Sequence, residues 1–179
     1  MRVHPLRLAI TIALLVAVPA LAQQGGKLRD PDVIYVPTPQ DAVEAMLQMA
    51  NVTAKDVVYD LGSGDGRIPI TAAQKFGATA VGIDINPQRI REANDNLAKA
   101  GVGDKVKFLN QDLFETDLSP ATVITLYLLP TLNQKLMPKL KALKPGTRIV
   151  SHSFDMGSEW PPEKKQDVNG KMIYYWVVK

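Results

Sequence analysis

Three glycines and a set of aspartates carry the chemistry most directly legible in this chain. The apolar run Val57-Val58-Tyr59-Asp60-Leu61 leads straight into Gly62-Ser63-Gly64-Asp65-Gly66, with Arg67 where a dinucleotide fingerprint would place its third glycine. Glycine lacks a Cβ, so the turn can take positive φ and bring bare backbone up to a ligand. Asp84 closes a second β-type run 22 positions after Gly62, with Ile85 beside it. That is close to the separation of about 20 residues at which a carboxylate meets the ribose hydroxyls of a bound nucleotide. Asp112 follows a third run in Asn110-Gln111-Asp112-Leu113. An acid there can accept from an adenine amino group while Leu113 packs on the ring. Each aspartate alone is also a good strand-end cap. Together, in register with the glycine turn, they predict an adenosyl ligand beyond the carboxyl ends of parallel strands.

The elements that must position these residues alternate. Tyr35-Val36-Pro37-Thr38-Pro39 is extended, because each proline disfavours helix in the residue before it. Thr38 and Asp41 have capping-box spacing, and Val43, Met46, Leu47 and Ala50 follow at helical intervals. Strand 56–61 leads to helix 67–76, and strand 79–85 to helix 87–100. The latter has Asn86 as N-cap, Pro87 in its first turn and Gly101 at its end. Strand 105–110 comes next. The apolar run 122–129 reads as a strand buried on both faces. Helix 131–143 carries Pro138, expected to kink or split it, and strand 147–154 follows Lys144-Pro145-Gly146. Segments 164–168 and 172–178 around Asn169-Gly170 predict a hairpin. The fold class expected is α/β: a Rossmann-like, seven-stranded sheet of parallel strands closed by a C-terminal antiparallel hairpin, in a single domain.

Composition narrows the chemistry. The chain has 179 residues, no cysteine and two histidines, which leaves no thiolate zinc site, no cysteine nucleophile and no histidine-rich metal site. Residues 1–22 combine Arg2 and Arg7, the apolar stretch 8–18 and the site Ala20-Leu21-Ala22, the pattern of a secretory signal peptide. Export to the periplasm or beyond is the expected localisation, with a cytoplasmic or membrane-anchored protein as the alternative. Residues 23–34 read as a flexible segment and 35–179 as the folded domain. Without residues 1–22, basic and acidic side chains are nearly balanced, so no nucleic-acid partner is expected from charge. Lys135, Lys139, Lys141, Lys144 and Arg148 form a basic cluster that reads most simply as a solvated helix face.

The glycine turn with Asp60 before it and Asp65 within it resembles the first motif of class I S-adenosylmethionine (SAM) methyltransferases. The likeness becomes closer along the chain. Tyr35-Val36-Pro37-Thr38-Pro39, Asp60 to Arg67, Gly82-Ile83-Asp84, Leu126-Tyr127-Leu128-Leu129-Pro130 and Ser151-His152-Ser153-Phe154 occur in that order. They precede Trp160-Pro161-Pro162 and Tyr174-Tyr175-Trp176, and the combination resembles the FAM173-type protein-lysine N-methyltransferases. Mitochondrial members of that family methylate lysines on membrane proteins of energy metabolism. The resemblance implies SAM as cofactor and, as partner, a protein substrate with a target lysine, membrane-associated in the family's best-known cases. No metal is implied.

It also implies a division of roles. Gly62, Ser63, Gly64 and Gly66 would cradle the cofactor, with Asp60, Asp65, Asp84, Ile85, Asp112 and Leu113 around it. Tyr35 and Thr38 would fold over its methionine end. The reaction would be in-line attack of a neutral lysine amine on the sulfonium methyl, with alignment and desolvation as the protein's main contributions. Tyr127 stands where amino methyltransferases often carry the polar residue of an Asp/Asn-Pro-Pro-Tyr motif. Its hydroxyl can orient the amine; a packed tyrosine satisfied locally is the competing reading. His152, near the end of the fifth strand, is the second catalytic candidate, against a structural role. A small-molecule methyltransferase and a non-catalytic, exported SAM-binding module are the alternatives.

Overall fold

The structure, a computed structural model, describes residues 28–179. The expected leader, residues 1–22, lies outside them. Helix α1 (Gln40–Met49) precedes β1 (Val57–Leu61), α2 (Arg67–Phe76), β2 (Thr79–Asp84), α3 (Pro87–Ala100) and β3 (Val106–Asn110). Then come β4 (Val123–Leu126), α4 (Pro130–Lys141), β5 (Arg148–His152), β6 (Lys164–Val168) and β7 (Lys171–Val177). The seven strands form one sheet in the order β3-β2-β1-β4-β5-β7-β6. Strands β1 to β5 pair in parallel, and β7 runs antiparallel to both β5 and β6.

Alternation along each strand feeds two cores. Val58, Val150, Ile173 and Tyr175 face α1 and α2. Tyr59, Leu61, Ile149 and Trp176 face α4 and the segments around Phe114 and Trp160. Every residue of β4 is buried, as its continuous apolar run requires. The chain order reverses between β1 and β4, so the connections leaving those strands diverge and open a crevice at their carboxyl ends.

Several local expectations change once the chain is packed. Helix α1 is capped by Pro39, with no side-chain cap bond. Thr38 Oγ1 instead lies 3.2 Å from His152 Nδ1, so the capping-box reading of Thr38 is corrected. Pro138 does not split α4, which runs unbroken from Pro130 to Lys141. Strand β4 stops at Leu126, where its ladder with β1 ends at Leu61. The basic cluster is not a free solvated face. Lys139 Nζ donates to the Phe114 carbonyl at 2.7 Å, Lys135 lies 3.8 Å from the Phe114 ring centroid, and Lys141 reaches the Glu159 carbonyl. These lysines fasten the flanking loops to α4. By contrast, Asn86 caps α3 by accepting from the Gln88 N–H, as expected.

Arg148 ties the far end of the sheet. Its guanidinium pairs with Asp56 and donates to the Ala50 and Asn51 carbonyls at 2.7 and 3.1 Å. The side chains of Arg148 and Asp56 are 20% and 8% exposed, so removing the cation leaves a nearly buried carboxylate unpaired. Arg148→Met is expected to cost about 2–3 kcal/mol of folding stability, the lower part of the range for breaking a buried pair because Thr53 and Thr122 still donate to Asp56. Urea denaturation monitored by tryptophan fluorescence checks this; a loss below about 0.5 kcal/mol, typical of a surface pair, would show the network to be dispensable.

Candidate active site

The glycine turn that follows β1 is held to β2 by two backbone bonds. The Gly62 and Ser63 N–H groups both donate to the Ile83 carbonyl, at 2.8 and 2.9 Å. Gly64 has φ +52, and a Cβ built there would sit 2.4 Å from the Tyr35 ring. Gly66 has φ +80 and caps α2 in the left-handed region; a Cβ there would meet Phe108 at 2.4 Å. No L side chain fits either place without displacing an aromatic ring.

A cavity of about 290 Å³ opens beside this turn. Tyr35, Thr38, Asp60, Gly62, Ser63, Asp65, Asp84, Ile85, Asp112, Leu113 and Tyr127 all line it. Gly64, Gly66 and His152 do not; Gly64 and Gly66 supply the turn's positive φ angles, and the His152 ring packs on Tyr127. Arg29, Asp32, Arg67 and Arg89 also line the cavity and were not foreseen. Arg67 carried a signal, standing directly after the glycine turn; the others carried none. Within the segment 23–34, expected to be flexible, Arg29 and residues 31–34 line one wall of the cavity.

Each carboxylate is set differently. Asp84 Oδ2 accepts from the Gly64 N–H at 2.9 Å and Oδ1 from the Asn86 N–H at 2.8 Å, which fixes its plane. Asp112 accepts from the Phe114 N–H at 2.9 Å and from Arg29. Burial raises its carboxyl, but the Arg29 and Phe114 bonds outweigh this and hold it below the usual range. Asp65 behaves alike: burial raises it, and the Arg67 guanidinium, 2.7 Å away, more than reverses that. Asp60 differs. It is 3% exposed, and burial pushes its carboxyl up to about 7. The bond from Thr125 Oγ1 at 2.7 Å opposes the rise only in part, while Asp84 and Asp65 add to it.

These residues fit an adenosyl cofactor. The turn presents bare backbone, the carboxylates of Asp60, Asp65, Asp84 and Asp112 line one cavity, and the buried Oγ of Ser63, a residue of the same lining, has no partner. Among the described residues, no cluster of acidic side chains, histidine or cysteine is arranged to hold a metal ion.

On the acceptor side the groups are aromatic. Tyr127 lies one residue past β4, with the His152 ring 4.0 Å from its own centroid and the Phe154 ring 6.3 Å away at an interplanar angle of 19°. His152 ends β5 and is 1% exposed; its Nε2 has no partner. Burial, with a lesser push from Lys171, lowers its pKa from 6.5 to about 4, and Asp41 opposes only weakly. Beyond it Ser153 takes φ +64, and the Phe154 N–H closes a tight turn on the His152 carbonyl at 2.8 Å. Asn133 Nδ2 and Ser151 Oγ both donate to the Phe154 carbonyl, at 3.1 and 2.5 Å, which holds the turn in place.

The lowered value has a definite sign. A histidine whose folded pKa lies below its unfolded pKa stabilises the fold above about pH 6.5, and that contribution disappears as pH falls toward 4. Acidification across this window is expected to cost up to about 3 kcal/mol, and His152→Gln should flatten the slope. Thermal melting from pH 7 to pH 4 tests it; an unchanged slope in the variant would assign the loss to other groups.

The ANTKMT methyltransferase domain matches residues 60–164 of this chain. It therefore belongs to that family. The enzyme is a SAM-dependent methyltransferase, and its relatives describe a narrow group. It is 48% identical over 153 residues to a protein-lysine N-methyltransferase of Saccharolobus islandicus, a match covering 83% of this chain and 95% of that one. An adenine nucleotide translocase lysine N-methyltransferase of Mus musculus is 34% identical over 147 residues, covering 80% of this chain and 63% of that one. A Salinibacter ruber protein solved with S-adenosyl-L-homocysteine (SAH), and described as an RNA methyltransferase, superposes with a TM-score of 0.78. It is 53% identical, with 80% of this chain and 94% of that one covered.

Proposed function

We propose that the methyl acceptor is a lysine side-chain amine of a protein, received beside the Tyr127 hydroxyl. The observation that supports this most is the acceptor side itself: Tyr127 at the cavity wall, backed by the Phe154 ring and by a His152 ring that burial keeps neutral. Such surroundings favour the neutral form of an amine whose reference pKa is about 10.4, the form that can attack. When bound, SAM supplies a sulfonium-activated methyl group. Asp84 holds the ribose hydroxyls, Asp112 the adenine amino group, and Ile85 and Leu113 the ring faces. Asp60, ionised on binding, faces the cationic amino-acid end. Tyr35 and Thr38 close over that end, and the Tyr127 hydroxyl orients the incoming amine. His152 acts through Tyr127 as a positioning residue, because its neutral ring is too weakly basic to take the amine's proton near neutral pH.

A second reading, an RNA acceptor, is favoured by the description of the Salinibacter ruber relative. Against it, β4 leads into Leu126-Tyr127-Leu128-Leu129-Pro130 rather than Asp/Asn-Pro-Pro-Tyr, which argues against methylation of adenine N6. The two separate in one experiment. Purified enzyme, tritiated SAM and a total cell extract should give label that protease releases and RNase does not, recovered as methyl-lysine after hydrolysis. RNase-sensitive label would replace the protein acceptor with RNA.

A membrane-associated substrate is part of the same proposal. Ile34, Tyr35 and Val36, three of the four exposed large apolar residues among those described, sit on the segment that walls the cavity, so a substrate lying at a lipid surface would meet apolar side chains first. Label concentrated in the membrane fraction of the extract is expected; label confined to soluble proteins would reject it. Residues 1–22 direct export on this reading. Their fusion to a reporter active only outside the cytoplasm should give signal, and a silent fusion would favour the cytoplasmic alternative.

A further inference from the structure

Arg29 is used by none of the roles above, yet it makes the most extensive polar contact at the cavity's adenine end. Its Nε donates to Asp112 Oδ2 at 2.6 Å and its Nη2 to Asp112 Oδ1 at 3.3 Å, a two-pronged grip on the carboxylate assigned to the adenine amino group. Nη1 donates to Asp32 at 2.5 Å, and the guanidinium carbon lies 5.4 Å from the Phe114 ring centroid. The segment that begins at Arg29 then crosses the cavity mouth. It is fastened again at its far end, where Arg67 Nη1 donates to the Thr38 carbonyl at 2.9 Å and Thr38 meets His152. Between the two fastenings, Tyr35 lies under Arg89, 4.6 Å from ring centroid to guanidinium carbon. Its neighbours Ile34 and Val36 are 87% and 50% exposed. A segment with exposed apolar residues in its middle depends on its ends.

We propose that Arg29 is a positioning residue of the cofactor site: by gripping Asp112 it pins residues 29–38 across the cavity mouth and retains the adenosyl ligand. This rests on the cofactor reading of the cavity. Asp112 Oδ1 accepts from both Arg29 and the Phe114 N–H, but Oδ2 accepts from Arg29 alone and keeps a lone pair, so the grip and an adenine contact through Oδ2 can coexist, with the carboxylate oriented by the arginine. The fork geometry matters as well as the charge. Lysine offers a point charge and cannot reproduce two parallel bonds. The Arg29 side chain is 37% exposed, so salt can screen the pair.

The test uses SAH and the full chain, and needs no acceptor. Arg29→Ala is expected to weaken SAH binding about three- to tenfold, mainly through faster dissociation. Raising NaCl from about 50 mM to about 500 mM should weaken the wild type toward the variant and leave the variant nearly unchanged. Arg29→Lys should fall between the two. A loss of structure alone would not produce the salt dependence or its disappearance. If Arg29→Ala binds and releases SAH as the wild type does, with the same response to salt, the pin is overturned while the cofactor reading stands. Tighter binding by Arg29→Ala would also overturn it, making Arg29 a competitor for Asp112. Wild-type protein that binds no SAH would overturn both.

Discussion

Asp84→Ala is expected to weaken SAH binding by about a hundredfold or more. The carboxylate already accepts from the Gly64 and Asn86 N–H groups, one on the glycine turn and one at the start of α3. It is therefore oriented before a ligand arrives, and ribose hydroxyls meet a fixed pair of acceptors. A hydrogen bond to a charged group contributes about 1.5–3 kcal/mol, and two hydroxyls lose it together. The alanine also leaves the Gly64 N–H without its partner, so the turn loosens. Asp84→Asn retains one acceptor without the charge and should fall between. Calorimetric titration of SAH into each protein gives the ratio. Binding by Asp84→Ala within about threefold of wild type would remove Asp84 from the ribose site, since a single neutral hydrogen bond is worth about that much or more.

The second large effect is on pH. The Asp60 carboxyl is raised from 3.8 to about 7 by burial first, then by Asp84 and Asp65, against the Thr125 bond. Because the folded value lies above the unfolded one, the folded protein holds a proton between about pH 4 and pH 7 that the unfolded chain has released. Its contribution to stability is complete at the acid end and is lost as pH rises through that window, opposite in sign to His152. A cationic ligand group beside Asp60 favours the ionised carboxylate and must expel that proton. SAM affinity should therefore fall by nearly tenfold per unit as pH drops below 7. Asp60→Asn should make the profile flat. Titrations in buffers of different ionisation enthalpy count the protons released. No release at pH 6 would mean that Asp60 does not face the cationic end of the cofactor.

Much of the frame was legible because its signals are local. The glycine turn announces itself through residue types that alone tolerate its φ values, and Asn86-Pro87 with Gly101 brackets α3 through capping chemistry that spans a few residues. The strands show as period-two or continuous apolar runs. Where local reading went astray, a distant partner had a better claim on the side chain. Thr38 had the spacing to cap α1, but His152 lies within reach of its hydroxyl in the folded chain. Pro138 carries a helix-breaking prior, yet α4 holds because the buried Leu136, Met137 and Leu140 fix it to the sheet. The lysines of α4 read as solvent-facing until the carbonyls of Phe114 and Glu159 came alongside.

In this chain, then, composition and spacing determined the order of elements, the class of sheet and the turn that cradles a ligand, because those follow from backbone conformation and periodic burial. Tertiary structure alone decided the electrostatics and the closure of the site. Arg29 and Asp112 are 83 positions apart, and Thr38 and His152 are 114 apart. Asp60 holds its proton only because folding removes water from it and places two other carboxylates nearby. Desolvation and Coulomb interactions depend on distance in space, and no pattern along the chain encodes that distance.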